Sequence, residues 1–188
     1  MEKQNLFWPI YKNIERETLA IADYIHFSDD QSKVYSIRIA DLIIRCAVEI
    51  ESISKFLYTS NGGNQNVIDS NGNRRELYFD TDCIDFLNNL WKLSVKEIQI
   101  CAKNFYFTKE SNLTLTPLHK ANKRGDSGSS WKKAYQSIKH NRVKCIREAT
   151  IKNLLNALGA LFILNTSMIN RSINMVKRAL DSAQGTLT

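Results

Sequence analysis

The sequence predicts an all-α protein: a helical bundle of four to five helices, two of them long, with a small irregular or β-hairpin insert. Three observations lead there. Apolar residues recur at spacings of three and four over residues 31–58 and again from Ala149 onward, stretches too long for strands. Turn-forming glycine, asparagine and proline concentrate in two segments, 59–75 and 94–130. Strand-like alternation is confined to residues 94–118. With 188 residues, 43% of them hydrophobic, the chain can build one core. The reading is therefore a single domain over 1–188, with 59–75 as a flexible loop and 94–130 as an irregular insert and basic linker.

Residues 5–27 read as the first helix, with Phe7, Ile10, Ile14, Ile21 and Ile25 near one face and Pro9 in the first turn, where its missing N–H costs nothing. Ser28-Asp29-Asp30 offers side-chain oxygens to cap a new helix, expected over 31–58. Ile39, Ile43, Cys46, Ile50, Ile53 and Leu57 form one of its apolar rows, and the apolar surface covers more than half the circumference, so two neighbours are required. Arg45 with Glu49 and Glu51 with Lys55 have ion-pair spacing. Glu51 and Lys55 stand either on a wet strip or inward, supporting a site on another helix.

Recurrent Asn-Gly makes 59–75 a loop, and the absence of a Gly-Lys-Ser/Thr ending excludes a P-loop. Asp80-Thr81-Asp82 is expected to cap a helix reaching about Leu93. Two short strands are expected within 94–118, turning at Glu110-Ser111-Asn112. Ser129 or Ser130 can cap a helix opening at Trp131, with His140-Asn141-Arg142 either a bend or continuous. The helix after Ala149 is apolar nearly all round, as in the centre of a bundle or a dimer seam. It should extend through 171–180 and fray from Ser182. Trp8, Trp91 and Trp131 read as core anchors.

The net charge of +7 and pI near 9.2 favour an anionic partner: nucleic acid, nucleotide or acidic lipid. The segment from His119 to Glu148 holds nine basic and two acidic residues, an excess equal to that of the whole chain. Cys46, Cys83, Cys101 and Cys145 have no paired spacing and no histidine near two of them, which argues against a zinc site and for reduced, mostly buried thiols. No metal or cofactor is implied. The charged N-terminal residues lack a signal-peptide core, and the run 157–164 is too short to span a bilayer, so a soluble, cytoplasmic protein without membrane partners is expected.

Trp131, Tyr135, Lys139, His140 and Arg142 form W-x3-Y-x3-K-H-x-R, followed by an Ala/Leu/Asn-rich helix. With the earlier Glu51-x3-Lys55 helix and the irregular insert between them, residues 31–174 resemble a bacterial HEPN-type domain. The resemblance implies an α-helical bundle, commonly a homodimer. Members are metal-independent RNases of toxin–antitoxin or antiviral defence systems, or relatives that bind RNA, nucleotides or partner proteins without catalysis. The family's nuclease motif, an arginine four to six residues before a histidine, is absent; Arg142 follows His140 instead.

Metal-free RNA cleavage uses the 2′-OH as nucleophile and needs a base, an acid and positive charge at phosphorus. Histidine suits proton transfer near neutral pH, and arginine holds phosphate oxygens in its planar fork. His140 and Arg142 are accordingly the candidate catalytic pair. Lys139, Asn141, Tyr135, Lys132 and Lys133 are candidate substrate contacts, with Glu51 and Lys55 in support. His26 reads as structural, and His119 as a surface residue or RNA contact. Three functions follow: a HEPN-like endoribonuclease with an antitoxin or defence partner, a non-catalytic module binding RNA, nucleotide or protein, and a helical partner subunit.

Overall fold

A computed structural model gives the backbone of residues 6–185 and the side chains of residues 6–169. The described residues are mostly helical, as expected, with six α-helices and a few two-residue strands. Helix α1 spans Phe7–Ile21. It is shorter than the expected 5–27, because the amides of Ala22, Asp23 and Tyr24 turn to carbonyls three residues back, and the chain then extends into β1, Phe27–Ser28. Phe27 is fully buried there, and Ile25, last of the apolar row, packs half-buried against the core from the turn.

Helix α2 runs Ile37–Ser60, later at both ends than the expected 31–58. Its cap is Ser36, whose Oγ accepts the Ile39 N–H at 3.1 Å. Asp29, read from sequence as part of that cap, is engaged elsewhere: it accepts from Thr108 N–H and Oγ1, Lys109 N–H and Asn112 Nδ2. Between them, Ser32 and Val34 lend their carbonyls to the Lys152 and Ile151 amides, so the strand-like lead into α2 satisfies the first free donors of the last helix. The row Ile39, Ile43, Cys46, Ile50, Ile53 and Leu57 is entirely buried, against α1, the last helix and the helix opening at Ser130.

The expected loop 59–75 contains a small hairpin, β2 (Val67–Ile68) antiparallel to β3 (Arg74–Arg75). Asp69 Oδ1 accepts the Asn71 and Asn73 amides, and Gly72 takes φ +81°, the left-handed conformation that favours glycine. Strands of two residues leave no periodicity to read. Asp80 does not cap a regular helix. Residues Phe79–Ile84 form a π-helical turn, and α3 spans Asp85–Trp91, ending at Lys92 in the left-handed region.

In the insert, β4 (Ile98–Gln99) pairs antiparallel with β6 (Thr114–Leu115), while β5 (Phe105–Tyr106) pairs in parallel with β1. The expected hairpin turn at 110–112 is one helical turn, α4 (Glu110–Leu113). Helix α5 runs Ser130–Cys145. Ser129 precedes it without a side-chain cap bond. Helix α6 runs Ile151–Gly185; residues 186–188, part of the stretch expected to fray, lie outside the described residues.

Trp131 is a core anchor, 1% exposed, with Nε1 donating to the Pro117 carbonyl at 2.8 Å. Trp8 and Trp91 are half-buried against the core. Cys46 and Cys83 are buried and Cys145 is half-buried, but Cys101 is exposed on the insert, against the expectation for it. Among the described residues no helix is long and apolar enough to cross a membrane.

Candidate functional site

Helices α2 and α5 lie side by side and run in opposite directions. Their two ends of contact are fixed by named residues. At one end Glu51 and Lys55 of α2 share a cleft with Lys132, Lys133, Gln136 and Ser137 of α5. At the other, Arg142 Nη1 donates to Asp41 Oδ1 at 2.9 Å.

The cleft encloses about 580 Å³. Its far wall is the segment Tyr78–Asp80 with the linker Arg124–Asp126. Asp80 organises it. Its carboxylate accepts from Arg124 Nε at 3.0 Å and Nη2 at 2.8 Å, and from Lys132 Nζ at 3.1 Å. Burial alone pushes the Asp80 carboxyl up, but the Arg124 guanidinium, the Thr81 amide and Lys132 outweigh it and hold it below the usual carboxylate range. The π-helical turn is what aims Asp80 inward, a distortion that recurs at functional sites.

Lys132, read from sequence as a substrate contact, is a structural residue instead. Only 4% exposed, it donates to Asp80 and to the carbonyls of Ala121 and Lys123, so its ammonium ties the linker to the π-turn. Burial holds its pKa below the ordinary lysine value, against the pull of Asp80. Tyr135 is buried too, at 4%, with the Lys139 ammonium 5.5 Å from its ring centre; it supports the helix rather than offering a face to a base.

Lys133 is exposed and donates to the Asp126 carbonyl at 3.3 Å. Glu51 and Lys55 form the expected pair at 2.7 Å, half-exposed at the edge of the cleft. The Arg45–Glu49 pair is not made; Arg45 Nη1 reaches Glu17 Oε1 on α1 at 2.6 Å.

His140, Asn141 and Arg142 stand beyond the cleft. Asn141 has φ −150° and ψ 75°, so the segment is a bend, not a continuous helix. Up to His140 the helix is regular. At about 100° per residue, His140 lies on the face shared by Lys133, Gln136 and Ser137, one turn further on. The bend then swings Arg142 to Asp41. The structure thus brings together Glu51, Lys55, Lys132 and Lys133 in one cleft, places His140 further along the same helix face, and pairs Arg142 with Asp41. His26 stacks on Tyr106 with ring centres 4.2 Å apart, and His119 is exposed in the linker.

Sequence reasoning missed Asp80, Arg124 and Tyr78. The Arg124 guanidinium lies 3.9 Å from the Tyr78 ring centre and that of Arg75 4.4 Å, while Arg75 also holds Asp82 in a two-pronged bond of 2.6 and 2.9 Å. The signal was present only as two aspartates and two arginines, with Arg124 44 positions beyond the Asp80 it binds. Four acidic and four basic residues line the cleft, so it is not itself a cationic pocket. Among the described residues no group of three or more His, Cys, Asp or Glu side chains is placed to hold a metal ion. The chain matches no family model, no curated protein and no solved structure.

Proposed function

We propose that the chain is a HEPN-like, RNA-acting helical domain of the cytoplasm that binds RNA along the seam between α2 and α5. One observation carries the reading. Lys133, Lys139, Lys144 and Arg147, on α5 and the turn after it, are all exposed, and none joins an ion pair among the described residues. Cations free of carboxylates are available to phosphates, and releasing the counterions of the nucleic acid drives such binding. The fold reading that accompanies it is a bundle of α1, α2, α5 and α6 with α3 at its edge. It is supported by the packing of α2 against α1, α5 and α6, and by the insert lying between α2 and α5 in sequence.

Non-catalytic binding of RNA or nucleotide is the preferred form. The arginine that the resembling family carries before its histidine is absent, and Arg142, the cation meant for the phosphorane, rests on Asp41 in an exposed pair. Metal-independent cleavage is the second reading, favoured by a specific spacing. Lys133 precedes His140 with six residues between, the place where the resembling family carries its arginine, and regular helix geometry sets both on one face two turns apart. A homodimer would bring a second copy of this face, and an antitoxin or other defence partner would cover it.

The test is incubation of the purified protein with total RNA and a tRNA pool in EDTA, beside His140→Ala and Arg142→Ala, with gel shifts over a salt series. RNA shifts that weaken steeply with salt, without cleavage, support the binding module. Cleavage in EDTA that His140→Ala abolishes moves the assignment to the nuclease. Neither shift nor cleavage overturns both.

A further inference from the structure

A second cavity lies away from this seam, between α1, α6 and the insert. It encloses about 420 Å³ and differs in kind from the first. Its walls are apolar: Ile98, Ile100 and Phe105 from the insert, Leu155, Leu158 and Phe162 from α6. The size and lining are those of a small-molecule site, in which a few polar groups orient an otherwise apolar ligand. Gly159 sets its shape, because a Cβ there would overlap Ile98 Cδ1 and press on Pro117 Cγ, so glycine lets the insert close against α6.

The polar groups are few and converge. Glu15 is half-buried at the α1 wall, and Oε1 accepts the Tyr11 hydroxyl at 2.6 Å. Burial, first among the causes, pushes the Tyr11 hydroxyl well up, so it stays a donor to Glu15. Among the described residues Glu15 is the one formally charged side chain lining the cavity, within a chain of net charge +7. Its other oxygen meets Lys12, which is 53% exposed and therefore a weak, displaceable partner. The Tyr11 and Phe162 rings pack with centres 5.6 Å apart in the cavity wall, and the exposed Lys12 ammonium that pairs with Glu15 lies 6.0 Å from the Tyr11 ring centre, marking the place a ligand ammonium would take. A carboxylate with aromatic faces recognises an organic cation.

We propose that this cavity is a binding site for an amphiphilic amine, with the ammonium at Glu15 and the apolar body against Phe105, Leu158 and Phe162. Neutral ligands satisfy the walls but leave the carboxylate unused, and anionic ones are repelled by it.

Calorimetric titration with octylammonium, octanol and octanoate, each below its self-association concentration, tests this. Octylammonium is expected to bind one site at least ~10-fold more tightly than octanol, a difference of ~1.4 kcal/mol, with octanoate weakest. Glu15→Gln is expected to bring the amine down to the level of octanol and leave octanol unchanged. Leu158→Trp, which fills the cavity, should abolish both; Ala102→Trp serves the same purpose if that variant does not fold. Equal binding of octanoate and amine, an amine affinity insensitive to Glu15→Gln, or no binding of any probe would overturn the assignment. RNA shifts measured on the same variants report separately on the α2–α5 seam.

Discussion

Asp80 and Lys132, 52 positions apart in the chain, meet in a buried ion pair with Oδ2 and Nζ 3.1 Å apart. Breaking a buried pair by removing one partner leaves the other charge stranded, which costs far more than the net worth of the pair. Asp80→Ala is therefore expected to lower the unfolding free energy by ~3 kcal/mol. The double variant Asp80→Leu, Lys132→Met should recover much of the loss. Urea unfolding of the two variants checks this; equal losses would show that the ionic pairing is not the source.

The same carboxylates predict acid sensitivity. Asp80 is held below the usual range against its own burial, and Asp82 is held down first by the Arg75 guanidinium. A carboxyl with a lower pKa in the folded state binds fewer protons than the unfolded chain, so its stabilisation is complete above the unfolded value near pH ~4. It is lost as the pH falls through the lower folded values. Melting temperature is expected to hold from pH 7 to 5 and fall steeply below 4, with a shallower fall in Asp82→Asn. An unchanged acid limb in that variant would remove Asp82 from the account.

Much of the helical frame was legible, and the reason is length. The buried row from Ile39 to Leu57 and the apolar surface after Ala149 repeat often enough for a period to show. The insert was legible only as irregular, since pairs such as Phe27 with Phe105 are set by tertiary contacts across nearly eighty residues. Asp29 and Asp80 were both read as helix caps because short acids before apolar runs have that chemistry locally. Each instead binds a distant segment, which local pattern cannot report. At the candidate site, the Glu51–Lys55 pair was legible by its i,i+4 spacing. The inward turn of Lys132 was not, because a lysine's reach toward buried carbonyls depends on the linker folded over it.

Arg142 is held by Asp41, and both side chains are 44% exposed, so the pair is weak and a phosphate can compete for it. Asp41→Asn is expected to tighten RNA binding a few-fold at low salt and to steepen the salt dependence by about one counterion. Adding Arg142→Ala should erase the gain. Gel shifts at several salt concentrations measure both; a gain that persists without Arg142 would mean that Asp41 acts only through net charge.

Trp131 fills the junction between α5 and the segment around Pro117, and its indole N–H is satisfied there. Trp131→Ala opens a cavity and removes that bond, an expected loss of ~3–5 kcal/mol. Trp131→Phe keeps most of the volume and should lose less, mainly through the unpaired Pro117 carbonyl. Thermal melts of the two variants rank them; the reverse order would contradict the packing described.

Asp29 decides how the insert is held to the helical body. Its two oxygens receive four donors, from Thr108, Lys109 and Asn112, next to the parallel pairing of β1 with β5. The Thr108 hydroxyl, first among these, drives the Asp29 carboxyl far below its usual range, so it accepts as a full carboxylate. Asparagine keeps the shape but replaces one acceptor oxygen with a donor, which confronts the donors it should receive. Asp29→Asn is therefore expected to speed hydrogen exchange over residues 105–115 and leave α2 unchanged, because the buried row of α2 does not depend on the latch. Exchange that rises equally in α2 would mean that the insert and the helical body open as one unit, and the latch would then be part of the core.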